Sequence, residues 1–193
     1  MSIVSIRILW IATSNGLNRF DPKTEQFSRF YFPEEGGSAW VIRIVAEGDS
    51  ILWLATMNGL VRFRKRTGEH QKVFWPNEHG DIIEGRRVNR ALSRLDDGCL
   101  AVGSSRNDFY KFNPGTFEFT ELHDSLAARN WGGGFCCYRD SDGLVWFGLS
   151  GRGIFCLDQK TDNFKSYISK DGKYEFSIMR RGKPTEMRAR WCC

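Results

Sequence analysis

Side chains able to do chemistry are few and scattered along this 193-residue chain. Its three histidines are His70, His79 and His123, and the last two stand among Glu78, Asp81, Glu121 and Asp124. An imidazole beside a carboxylate can move protons, but in polar linking segments such neighbours are far more often solvated than catalytic. No Gly-x-Ser-x-Gly elbow and no His-Glu-x-x-His helix occurs. Gly132-Gly133-Gly134 lacks the strand, helix and spacing of a phosphate cradle. The six cysteines, at 99, 136, 137, 156, 192 and 193, include no pair at the two-residue spacing of a zinc knuckle or a redox site. In an extended strand, Cys136 and Cys137 would point to opposite faces, so buried thiols are expected rather than a chelate. The reading is therefore non-enzymatic, with no catalytic residue, no metal and no cofactor.

What the chain does offer is a set of residues suited to a small polar molecule: Trp40, Arg86, Arg87, Asn89, Asn130 and Trp131. Aromatic faces stack on sugar rings, while amides and guanidinium groups orient hydroxyls. Trp131 precedes the triglycine run, which gives it room to move. Packing between elements is the competing reading for each tryptophan, and more so for Trp40.

Composition places these residues in a folded domain. Hydrophobic residues make up 41% and charged residues 26%, ordinary globular values that exclude disordered and collagen-like classes. No apolar run approaches the ~20 residues of a membrane-spanning helix. Residues 1–12 show no basic start followed by a small-residue cleavage site, so no secretory signal is visible. The net charge of +5 is confined to residues 165–193, which carry eight Lys or Arg and three Asp or Glu. The rest of the chain balances at zero, and without a basic stripe a nucleic-acid partner is not expected.

Self-similarity decides how the candidate residues are held. LWIATSNGLNRFD at 9–21, LWLATMNGLVRFR at 52–64, LAVGSSRNDFYKFN at 100–113 and VWFGLSGRGIFCLD at 145–158 align. Their small residues, Ala12, Ala55, Gly103 and Gly148, recur at steps of 43, 48 and 45. The register extends through Phe20, Phe63, Phe112 and Leu157, then Thr24, Thr67, Thr116 and Thr161, then Phe27, His70, Phe119 and Phe164. Phe30, Val73, Leu122 and Tyr167 close the pattern. His70 replaces a phenylalanine and is expected to pack. Trp10, Trp53 and Trp146 share one repeat position and are expected to be structural. Asp49-Ser50, Asp97-Gly98 and Asp142-Gly143 precede the small residues as hairpin turns.

Aromatic and β-branched residues separated by turn signals, without a 3.6-residue period, predict strands. In the second repeat these are 40–46, 52–56, 60–64 and 71–75. Four antiparallel strands in about 45 residues make one β-propeller blade, so the fold class is all-β, with about four four-stranded sheets.

The pattern Leu-Trp-Ile-Ala-Thr, a polar residue, Asn-Gly-Leu, then an aromatic and Asp resembles the two-component regulator propeller repeat. The match is strongest in the first two repeats. The third departs at Leu100-Ala101 and carries an inserted residue, and the fourth has Ser150-Gly151-Arg152-Gly153 for the simple turn. The resemblance implies repeats at about 1–32, 33–77, 78–124 and 125–170, forming an incomplete arc of a larger propeller, with 171–193 as a basic tail outside the series. It also implies that loops joining strand two to three, and one blade to the next, share a face. Segments 31–39, 76–87 and 121–134, with Trp40 and Asn89 just beyond the first two, then carry the candidate ligand residues. By resemblance, the function is that of a non-catalytic sensor segment of a periplasmic hybrid histidine kinase receptor, without contact with the membrane itself. Its expected partners are an oligosaccharide or other small polar ligand and the remaining blades of a parent chain; a protein-docking scaffold is the alternative.

Overall fold

The computed structural model describes residues 8–32, 40–57, 59–73, 75–76, 82–83, 88–104, 109–122, 134–149, 153–161, 163–170, 173–180 and 189–190. Every regular element among them is a β-strand, and within each sheet of three or more strands the pairings are antiparallel. Among the described residues, no helix is long and apolar enough to cross a membrane. Two compact units are formed, Met1–Trp75 with Ile82–Arg87, and Pro76–Asp81 with Val88–Cys193.

The first unit holds two sheets. Leu9–Thr13 (β1), Gly16–Asp21 (β2) and Gln26–Phe30 (β3) form one. Val41–Glu47 (β4), Ile51–Thr56 (β5), Gly59–Arg64 (β6) and His70–Val73 (β7) form the other. Each strand of the β4–β7 sheet lies within about a residue or two of its sequence expectation. Thr13 pairs with Gly16 and Thr56 with Gly59, and in both turns the threonine hydroxyl donates to the glycine carbonyl at 2.8 Å. Both glycines take positive φ, +99° and +122°, where a side chain would be strained. This is why the Thr-x-Asn-Gly signature recurs.

Alternation decides what each sheet buries. Trp10, Ala12, Leu17 and Phe30 on one face of β1–β3 pack on Leu52, Leu54, Val61 and Phe63 of the β4–β7 sheet. The rings of Trp10, Phe30 and Phe63 meet at 5.0 to 5.8 Å, with Phe63 edge-on to the other two. His70 is exposed, and its ring meets Phe32 edge-on at 5.0 Å. The expectation that it packs holds for that one contact, but the ring is not enclosed, because its strand lies at the sheet edge.

Between the second and third repeats, Trp75–Pro76 (β8) and Ile82–Ile83 (β9) pair as a two-stranded ribbon. The second unit then contains Val88–Arg94 (β10), Leu100–Ser104 (β11), Phe109–Phe112 (β12) and Phe119–Glu121 (β13) as a four-stranded sheet. Gly134–Arg139 (β14), Leu144–Leu149 (β15), Gly153–Asp158 (β16), Asn163–Lys170 (β17), Lys173–Arg180 (β18) and Ala189–Arg190 (β19) form a six-stranded one. Four strands per repeat is thus seen in two sheets; three are described in the first, and β17 runs on into a hairpin with β18 in the last. Ala101, Leu122 and Phe109 pack on Val145, Phe147, Phe155, Leu157 and Phe164, which repeats the face-to-face scheme of the first unit. At the turn end of this pair, Arg139 bridges to Asp96, and Gln159 accepts from the Asp96 amide and donates to the Gly143 carbonyl, both at 2.8 Å.

The cysteines follow the alternation as well. Cys137 is buried and Cys136 exposed, while Cys99 and Cys156 are buried, and burial pushes both of these thiols up from their ordinary pKa. All four are free thiols. The absence of His, Cys, Asp and Glu groupings able to hold a metal applies to the described residues.

Candidate functional site

In the sheets that begin with β4, β10 and β14, the register brings three points together: the start of the innermost strand, the end of the second and the start of the third. Val41 pairs with Thr56 and Thr56 with Gly59; Gly134 pairs with Leu149 and Leu149 with Gly153. The segment entering each sheet and the turn between strands two and three therefore lie at one end, as the repeat scheme requires.

That end is irregular in three sheets. β4 carries a bulge between Val41 and Arg43, β10 between Val88 and Leu92, and β14 between Gly134 and Cys136. The small residue of the repeat lies opposite the bulge each time: Ala55, Gly103 and Gly148. A Cβ at Gly103 would come within 2.7 Å of the Ala91 Cβ, and one at Gly148 within 2.6 Å of the Cys136 Sγ. Bulges re-aim side chains and often border binding sites.

Of the six residues singled out by sequence, the structure describes two. Trp40 leads into β4, its carbonyl accepts from the Met57 amide at 3.2 Å, and its side chain is exposed. Asn89 lies in the bulged stretch of β10, on its backbone course alone. Arg86, Arg87, Asn130 and Trp131, like His79 and His123, lie outside the described residues.

Sequence reasoning missed a polar cluster at the same end of the first sheet. Asn18 is buried on β2, where it donates to the Thr13 hydroxyl at 3.0 Å and accepts from Arg29 Nε at 3.2 Å. Arg29 also donates to the Tyr31 hydroxyl at 2.9 Å, and its guanidinium lies 5.7 Å from the centre of that ring. The available signal was Asn18 itself, an amide at the repeat position held by Val61, Tyr110 and Phe155. An oriented guanidinium beside an aromatic ring and an amide can hydrogen-bond hydroxyl or carboxylate groups and stack on a flat face.

No family model and no curated protein sequence matches the chain. Solved structures do. The extracellular domain described as a hybrid two component system, BT4673 of B. thetaiotaomicron, superposes with a TM-score of 0.66 at 17% identity, over 85% of this chain and 21% of that one. The corresponding domain of BT3049 from the same organism gives 0.60 at 18% identity, over 96% and 27%. The chain shares their fold. It spans about a quarter of their length or less. A protein described as a gluconolactonase is also similar, with a TM-score of 0.55 at 15% identity over 93% of this chain and 73% of that one. One architecture thus appears with an enzyme's name and with sensor names, and function has to be argued from the site. The all-β propeller-blade reading and the resemblance of the repeat to that of two-component sensors agree with these likenesses.

Proposed function

We propose that the chain is a non-catalytic, ligand-sensing propeller segment of a two-component receptor that works in the periplasm and recognises a glycan-derived or other small polar cue. The observation that carries this reading is the fold, shared with two extracellular sensor domains over 85% and 96% of the chain. The chemistry at the bulged end supports it: the exposed Trp40 and the Arg29, Tyr31 and Asn18 cluster suit hydroxyl-rich ligands. Arg86, Arg87, Asn89, Asn130 and Trp131 are further ligand contacts on the ground of the sequence alone. No kinase element is among these residues, so phosphotransfer would be the work of other domains of a receptor.

A glycan array probed with the chain tests this. One class of oligosaccharide or uronate is expected to bind, with a loss of about tenfold or more when Trp40 or Arg29 becomes Ala, as for one good contact. Absence of binding to every sugar, with a protein partner that is lost on pulldown when Trp131 or Arg87 becomes Ala, contradicts the ligand and favours the docking scaffold.

A further inference from the structure

One hydrogen-bonded relay in the first sheet is not demanded by the fold. The Thr13 hydroxyl gives its proton to the Gly16 carbonyl at 2.8 Å, so toward Asn18 it can only accept. That turns the Asn18 amide nitrogen to Thr13 and its oxygen to Arg29, whose Nε donates to it at 3.2 Å. Arg29 Nη1 in turn donates to the Tyr31 hydroxyl at 2.9 Å. The second repeat makes the same turn, with the Thr56 hydroxyl on the Gly59 carbonyl at 2.8 Å, but Val61 and Lys72 stand where Asn18 and Arg29 do. A turn of this kind forms without the relay, so the relay serves Arg29 rather than the turn.

Arg29 is exposed, and its partners among the described residues are all neutral. Arg19, Arg64 and Arg139 instead each meet a carboxylate, on Asp21, Glu69 and Asp96. Of the guanidinium donors, Asn18 takes the Nε proton and Tyr31 one on Nη1, which leaves Nη2 and the second Nη1 proton for a further acceptor. That planar edge matches the two oxygens of a carboxylate. The Tyr31 hydroxyl accepts from Arg29, so its own proton can go to the same acceptor, and Tyr31 is 50% exposed. The position also stays at a rim when another sheet lies on this face. Arg29, Lys72, Glu121 and Ser166 share it, all polar or charged. Lys72 pairs with Val61, which packs under the first sheet, and is still only half-buried.

We propose that the cue is an acidic sugar, a uronate, whose carboxylate is bound by Arg29 and Tyr31. This rests on the ligand-sensing reading above and narrows its ligand to one class. Asn18 is a positioning residue: it holds the guanidinium in place before the ligand arrives, so less ordering is lost on binding.

Calorimetric titration of the full chain with uronate oligosaccharides, each beside its carboxyl-reduced neutral counterpart, tests it. The acid is expected to bind about tenfold or more tighter than the neutral form, as for one charge-assisted contact, and the gap should narrow as salt rises. Arg29→Gln should bring the acid down to the affinity of the neutral sugar and leave the neutral sugar's affinity as it was. Arg29→Lys should keep part of the preference, and Asn18→Val, the residue of the second repeat, should weaken it. Arg29 is exposed, so its variants should keep the far-UV dichroism and the unfolding transition of the parent. A neutral sugar bound as tightly as its acid, a preference that survives Arg29→Gln, or a sulfated neutral sugar bound as well as the uronate overturns the carboxylate while leaving sugar sensing in place. Binding of neither form overturns both.

Discussion

Glu47 and Asp140 stand at the end of an innermost strand, and each accepts a hydrogen bond from the tryptophan six residues on. Trp53 Nε1 donates to Glu47 at 2.6 Å and Trp146 Nε1 to Asp140 at 2.7 Å. The third repeat has lost both partners together: Leu95 replaces the acid and Ala101 the indole, and both are buried in one cluster. Replacing both members of a polar pair by apolar groups avoids an unsatisfied buried atom, whereas removing one does not. Trp53 is fully buried and Trp146 half-buried. Trp53→Ala is expected to cost about 3–5 kcal/mol in denaturant unfolding, and Trp146→Ala clearly less. At the bulge, Gly103→Ala should destabilise by about 1–3 kcal/mol through overpacking against the Ala91 Cβ. Ala91→Gly in the same chain should recover part of that loss, which a double-mutant cycle measures.

At the scale of elements, turns are set by a few side chains acting on backbone amides. Asp21, Asn113 and Asp158 each accept from the amide two residues on, at 2.9 to 3.0 Å. The Asp21 and Asn113 turns then pass through a left-handed residue, Glu25 at φ +57° and Phe117 at +63°, as the turn of the second repeat does at Gly68, φ +77°. Glu25 is exposed and gains nothing from its side chain there, so Glu25→Gly should stabilise by about 0.5–1 kcal/mol, seen as a higher Tm. Phe117 differs, because its ring packs edge-on against Phe112 at 5.8 Å. Asp140 holds the β14–β15 turn, and its carboxyl lies below the ordinary carboxylate pKa because the Trp146 N–H and the amides of Leu144 and Asp142 bind the ionised form. A folded pKa lowered below the unfolded one gives stability that is complete above about pH 4 and fades as pH falls through the folded value. Trp146→Asn should therefore flatten part of the acid limb of a Tm-versus-pH curve; an unchanged limb would exclude the indole as its source.

For the whole molecule, the strands, their order and the alternation of faces were legible because the repeat states each position four times. The 52–56 and 60–64 predictions differ from β5 and β6 by one residue at the N-terminal end of each. The extension of β17 into a hairpin with β18 was not legible, since Lys173, Glu175 and Arg180 interrupt the aromatic pattern on which the repeat was recognised. Nor was the Asn18, Arg29 and Tyr31 cluster: it depends on which side chains a register places across three strands, and spacing along one strand does not show that. His70 misled for a related reason, since a repeat position that is core in one sheet lies at an exposed edge in another, as Phe164 and Phe27 also show.

One pairing register is repeated in successive sheets, and cross-strand Cα-proton contacts in solution report it directly. Contacts or shared amide protection are expected for Trp53 with Arg62, Ala101 with Lys111 and Trp146 with Cys156, the same position in three sheets. Helical amide patterns, or a register displaced by one residue in any of the three, would contradict it.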